Sequence, residues 1–146
     1  MNTGFIGKEY PPFTASVDPW RVGFFAHAIG DSSELYSDAT AAGAAGYRDI
    51  PAPPTLPFSL SMDHNQSFMV LADLAIDITR AMHGEQSFRY HGDICSGDVL
   101  TGRQKVVDIY EKKGGALLFI VTETRFDNQQ GDHVCDMGTT IVVRQG

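Results

Sequence analysis

The sequence predicts an α+β fold in which a five-stranded antiparallel sheet wraps one apolar central helix. Three observations carry that expectation. Helical apolar spacing is confined to the first half of the chain. Three long β-type runs fill residues 98–144, joined by the polar, glycine-bearing links "KKGG" and "NQQGD". Between the two halves lies "PAPPTLPFSLSM", a proline-rich approach to an apolar run.

Taken in order, "YPPFTASV" is short and β-prone, and its prolines suit an edge strand. In "DPWRVGFFAHAIG", Asp18 reads as an N-cap and Pro19 as the first helical residue. Val22, Phe25, Ala26 and Ile29 then share one face. Trp20, Phe24 and Ala28 cover much of the remainder, so this helix is predicted to be buried on more than one side. Gly30 stops it. "SDATAAGAAGY" predicts a short Ala/Gly helix; it lacks GxGxxG spacing and a preceding strand, so its glycines speak for close packing rather than phosphate binding. The central helix is expected over residues 54–62, with Pro57 near its start. "DHNQSFMVLADLAIDITRAM" has mixed periodicity and predicts a second short helix. From residue 83 the pattern is β: "GEQSFRYH", "DVLTGRQKVVDIYEK", "ALLFIVTETRFDN" and "HVCDMGTTIVVR" supply four strands.

Bulk properties narrow the function. A chain of 146 residues fits one domain, 1–146, and buries roughly 70% of its unfolded surface without a staple. A net charge of −7 argues against nucleic acid as the main partner but permits an anionic small molecule on a local cationic patch. Cys95 and Cys135 form no CxxC pair, as expected of reduced thiols in a cytoplasm. The first residues have no apolar h-region, and no run of about 18 apolar residues could span a membrane. Five histidines (His27, His64, His83, His91, His133) show no HExxH or tight ligand pair, so no metal is expected.

One loop carries the chemistry. "GDSSELYSD" places Asp31 behind a glycine and Tyr36 five positions later. A base at that offset would complete an acid/base pair, but tyrosine, with an ordinary pKa of about 10, is a poor base near neutrality. On residues alone, Asp31 reads as a turn residue and Tyr36 as a packed aromatic.

The ordered set "AIGD", "AGYRDIPAPPT", "HGEQSFRYH" and "GDVLTG" resembles the MaoC-like hydratase/dehydratases. The match is to the branch found as the N-terminal half of double-domain members, similar to the dehydratase region of fungal fatty acid synthases. It runs from about Tyr10 to Arg144. The resemblance implies the hot-dog fold and water addition or removal across the α,β-double bond of an acyl thioester, on coenzyme A or an acyl carrier, with no other cofactor. It also implies pairing with a second hot-dog chain, as a homodimer or with a different MaoC-like partner. Catalytic members carry a GD-x-N-P-x-H loop whose Asp and His share one water. Position by position, Asp31 matches the aspartate, Ser33-Glu34 stands for Asn-Pro, and Tyr36 stands for the histidine. A backbone N–H at the start of the central helix would stabilise the thioester oxyanion. Pro53 and Pro54 have none, so Thr55 or Leu56 must supply it.

Other candidates follow. His83 and His91 flank "GEQSFRY", and His83 is the candidate for a relocated base. Phe68, Met69, Leu71 and Leu74 are expected to line an acyl pocket. Arg21, Arg48, Lys105, Lys112 and Lys113 are candidates for the carrier's phosphates. Three readings stay open: an acyl-binding partner of a catalytic chain, a self-sufficient homodimeric hydratase using Asp31 with a relocated base, and a binding module without chemistry.

Overall fold

The computed structural model describes residues 3–146. Strand β1 (Phe13–Ser16) is followed by helices α1 (Pro19–Ala28) and α2 (Ala39–Ala44). Helices α3 (Leu56–Met62) and α4 (Gln66–Asp73) precede the strands β2 (Ala81–Tyr90), β3 (Val99–Lys112), β4 (Leu117–Asp127) and β5 (His133–Arg144). All five strands join one sheet in the order β1-β3-β4-β5-β2, and every pairing is antiparallel. The α+β, hot-dog arrangement expected from the sequence is the one observed.

The sheet builds its core by period-two alternation: Leu100 and Val106 on β3, Ile120 and Phe126 on β4, and Met137, Ile141 and Val143 on β5 face the helices and are buried. Two apolar clusters result. One gathers Leu56 and Leu60 of α3 against Phe13, Leu100, Phe126 and Met137. The other gathers Val70 and Leu71 of α4 against Val106, Ile109, Ile120, Ile141 and Val143. Between them runs a buried polar belt in register across the sheet, with Gln104 opposite Thr124 and Thr122 opposite Thr139, which the half-buried Gln86 of β2 faces. The helical cover is thus two short helices, one per cluster. They part where Asn65 adopts a left-handed φ of 55°.

Close approaches fix the strand ends. The Phe13 ring lies over Gly102, where a Cβ would sit 2.2 Å from Cζ of Phe13. Only glycine leaves room for that ring between β1 and β3.

Helix α1 departs from expectation. Pro19 does open it, but the Asp18 side chain makes no cap hydrogen bond. Only Val22 and Ala26 are buried, whereas Trp20 is 70% and Phe24 68% exposed. The aromatic content suggested burial on several sides; the helix instead packs by one narrow stripe and turns its largest side chains outward. Strand β2 is similarly open, being an edge strand of ten residues with Met82 and Tyr90 exposed.

Candidate functional site

The loop after α1 places Asp31 and Tyr36 in one surface hollow of about 410 Å³, with Gly23, His27, Ser33 and Ser37. Local chemistry explains the loop. Gly30 takes φ of +78°, which turns the chain out of the helix. The Asp31 carboxylate then accepts a hydrogen bond from the Ser33 N–H at 3.0 Å, an Asx turn that launches the short 3₁₀ segment Glu34–Tyr36. Asp31 is exposed, and one of its oxygens is engaged locally.

Tyr36 also lines an adjoining hollow of about 420 Å³ with Tyr47, Pro54, Tyr90 and His91. Burial raises the Tyr36 pKa above the phenol's ordinary value, and the nearby Asp31 carboxylate and Tyr47 raise it further. Its hydroxyl therefore keeps its proton at neutral pH. It can donate a hydrogen bond but cannot act as a base. Tyr90 closes this hollow by donating to the Pro54 carbonyl at 2.7 Å, and its pKa too is raised, chiefly by burial.

At the start of α3, the Leu56 N–H is occupied by the Pro53 carbonyl at 2.9 Å. Thr55, the exposed N-cap, makes no side-chain cap hydrogen bond. Its N–H has no hydrogen-bond partner among the described residues and is the free donor of the two candidates. Leu56 itself is fully buried in the core.

His83 lies elsewhere. It stacks on Phe58, with ring centroids 4.9 Å apart and planes 13° apart, and its Nε2 is 3.0 Å from Gln86 Oε1. Together with Phe58, Met62, Phe68, Leu71, Ile78 and Met82 it bounds an apolar hollow of about 130 Å³ between α3, α4 and β2. Tyr90 is seven strand positions beyond His83, roughly 23 Å at the usual rise. The structure therefore joins Asp31 to Tyr36, joins His83 to Phe68 and Leu71, and keeps the two groups apart. Met69 packs against the α4-side cluster instead of the hollow.

Of the cationic candidates, Arg21 is tied to Asp63 and Ser59, and Arg48 to Asp98. Lys112 covers the stacked Tyr110 and Phe119 rings. The Asp98 carboxylate, fully buried, also accepts from the Cys95 N–H at 2.9 Å and Gln129 Nε2 at 3.0 Å. Burial pushes its pKa up, but these partners outweigh burial and hold it below the ordinary carboxylate value. This junction clamps the segment before α3 to the start of β3, and no spacing or motif announces it. The same is true of the Tyr36–Tyr47–Tyr90 grouping, whose members come from three separated segments. Both cysteines are buried, and burial raises both thiols, Cys135 to about 11, so neither is a reactive thiolate.

The FAS1-like, dehydratase domain region model matches residues 4–137. The chain belongs to that dehydratase family. A UPF0336 protein of Thermobifida fusca (strain YX) is 37% identical over 145 residues, covering 99% of this chain and 94% of the relative. Among solved structures, the C-terminally truncated HadBC (3R-hydroxyacyl-ACP dehydratase) complex of Mycobacterium tuberculosis superposes with a TM-score of 0.81 at 22% identity. That match covers 97% of this chain and 99% of the other. The ChsH1–ChsH2 complex of the same organism gives 0.71 at 19% identity, covering 99% and 100%. These two likenesses are of fold. They show that the FAS1-like dehydratase chain has the fold of those chains. No helix of the described residues is long and apolar enough to cross a membrane.

Proposed function

We propose that this FAS1-like dehydratase chain is the acyl-binding half of a two-chain hydratase/dehydratase, and that a second hot-dog chain brings the proton-handling Asp/His pair. The single observation that carries the reading is Tyr36. It stands where the family loop needs a base, beside Asp31, and its surroundings raise its pKa instead of lowering it. Proton transfer in both directions requires a group whose pKa lies near the working pH. Tyr36 moves away from that range.

Two further features support a partner. The β2 edge offers ten residues of unpaired backbone on one side, a liability that pairing with another sheet removes. Trp20 and Phe24 expose large aromatic surface on α1, as side chains at protein contacts do. The solved structures named above are complexes of hot-dog chains, which is consistent with pairing here. The thioester would lie with its acyl end toward the Phe58–Phe68–Leu71 hollow. A base at His83 is less well supported, since that ring is stacked on Phe58 and removed from Asp31.

The test is to titrate the purified chain with a hot-dog chain from the same cell that carries an intact GD-x-N-P-x-H loop, and to assay hydration of a trans-2-enoyl thioester. Losing one positioned acid/base costs about 10²–10⁴-fold, so the mixture should exceed the lone chain by that order. A lone chain as fast as the mixture refutes the proposal.

A further inference from the structure

Three side chains from outside Tyr36's own loop converge on the solvent side of the β2/β5 edge. His91 follows β2, His133 opens β5, and Asp136 lies three residues further along β5, beyond a shift in register with β4. His91 Nε2 is 2.8 Å from Asp136 Oδ2, and His133 Nε2 is 2.7 Å from Oδ1 of the same carboxylate. The two rings meet with centroids 4.3 Å apart. One ligand atom from each residue falls within 4.8 Å of the other two. We propose that His91, His133 and Asp136 form a binding site for one divalent transition-metal ion of the zinc class.

The geometry fits such an ion. Zinc bonds of about 2.0–2.2 Å to imidazole nitrogen and carboxylate oxygen, in tetrahedral array, need ligand atoms roughly 3.4 Å apart. A small opening of the 2.7 and 2.8 Å contacts reaches that spacing. Two borderline imidazole donors beside one hard carboxylate suit zinc, cobalt or nickel better than calcium or magnesium. Three protein ligands leave a fourth position for water, and the ligand side chains are 37%, 29% and 23% exposed, so an ion can enter.

The Asp136 carboxylate turns one oxygen toward each ring, so a cation seated among the three groups meets a carboxylate oxygen and two Nε2 atoms. Each neutral ring would carry its proton on Nδ1 when Nε2 takes the metal. Two cations stand near: Arg89 and Arg125 lie opposite Asp136 in register. Arg125 is offset by its 2.9 Å hydrogen bond to Asp127. An ion here would tie the end of the edge strand to β5. Because His91 also lines the Tyr36 hollow, it would stiffen one wall of that hollow.

The experiment uses the full chain, stripped with chelator, and titrates it with Zn²⁺ by calorimetry and with Co²⁺ by absorption. Expected are one ion per chain, a raised Tm, a cobalt spectrum without thiolate charge transfer, and zinc-dependent shifts of the His91 and His133 imidazole resonances in the wild-type protein. His91→Ala and His133→Ala should each weaken affinity by at least about tenfold, while His27→Ala leaves it unchanged. The resonance shifts are read on wild-type protein, so the result does not depend on either variant folding. No saturable binding, a thiolate band implicating Cys95 or Cys135, or shifts confined to other histidines would overturn the site.

Discussion

The hollow around Asp31 and the hollow under α4 make an instructive pair. The first is open and lined by Asp31, Tyr36, His27, Ser32, Ser33 and Ser37. The second is small and walled by Phe58, Met62, Phe68, Leu71 and Ile78, with one stacked histidine. Asp31 depends on a local Asx turn, whereas Leu71 belongs to a core cluster spanning three strands. The apolar hollow is therefore walled in part by the structural core, and the Asp31 loop stands outside it. The two should respond very differently to substitution.

The largest expected effect is at Leu71. It is 4% exposed and shared between the α4-side cluster and the hollow, so Leu71→Ala should cost about 2–4 kcal/mol and weaken acyl-thioester binding. Denaturant unfolding and ligand titration of the same variant check both. If binding weakens with no change in stability, or the reverse, the claim that core and hollow coincide here is broken.

Next is Arg48→Ala, which removes a charged partner from the buried Asp98 carboxylate and should cost about 2–3 kcal/mol. Asp98 also sets a pH dependence. Its folded pKa is depressed, so the stability it adds is fully present above the unfolded value of 3.8 and is lost as pH falls through the lower, folded value. The stability gap between wild type and Arg48→Ala should be constant above pH 3.8 and close only as pH falls from there through the lower, folded value. Parallel curves throughout would contradict this assignment.

Trp20→Ala is a smaller perturbation. The ring is mostly exposed in the single chain, so stability should change by no more than about 0.5 kcal/mol. If α1 meets a partner, as proposed, association should weaken while the lone chain is unaffected. Unchanged association would remove α1 from the interface.

Much of this contrast was legible beforehand, and the reasons are physical. Periodicity located β2 to β5 and α3 to within a few residues, because buried strands and helices must repeat apolar side chains at two or 3.6 residues. Phe68 and Leu71 declared themselves as apolar residues with no place on the central helix. Periodicity misjudged α1, because aromatic content says nothing about which side a neighbour covers. It also could not see groupings made only by folding: His91 meets His133 across 42 positions of chain, and Arg48 meets Asp98 across fifty. The polar belt of Gln104, Thr122, Thr124 and Thr139 was equally hidden, since those residues read as ordinary members of alternating strands.

The central claim is that this chain binds the acyl group but does not move the proton. The most direct measurement is steady-state hydration of a trans-2-enoyl thioester by the purified wild-type chain from pH 6 to 9, beside Asp31→Asn. Asp31 is exposed and held by one local hydrogen bond, so the substitution should change stability by about 0.5 kcal/mol or less. The account predicts thioester binding without appreciable turnover, equally in both proteins. Robust turnover by the lone wild-type chain, abolished by Asp31→Asn, would contradict it.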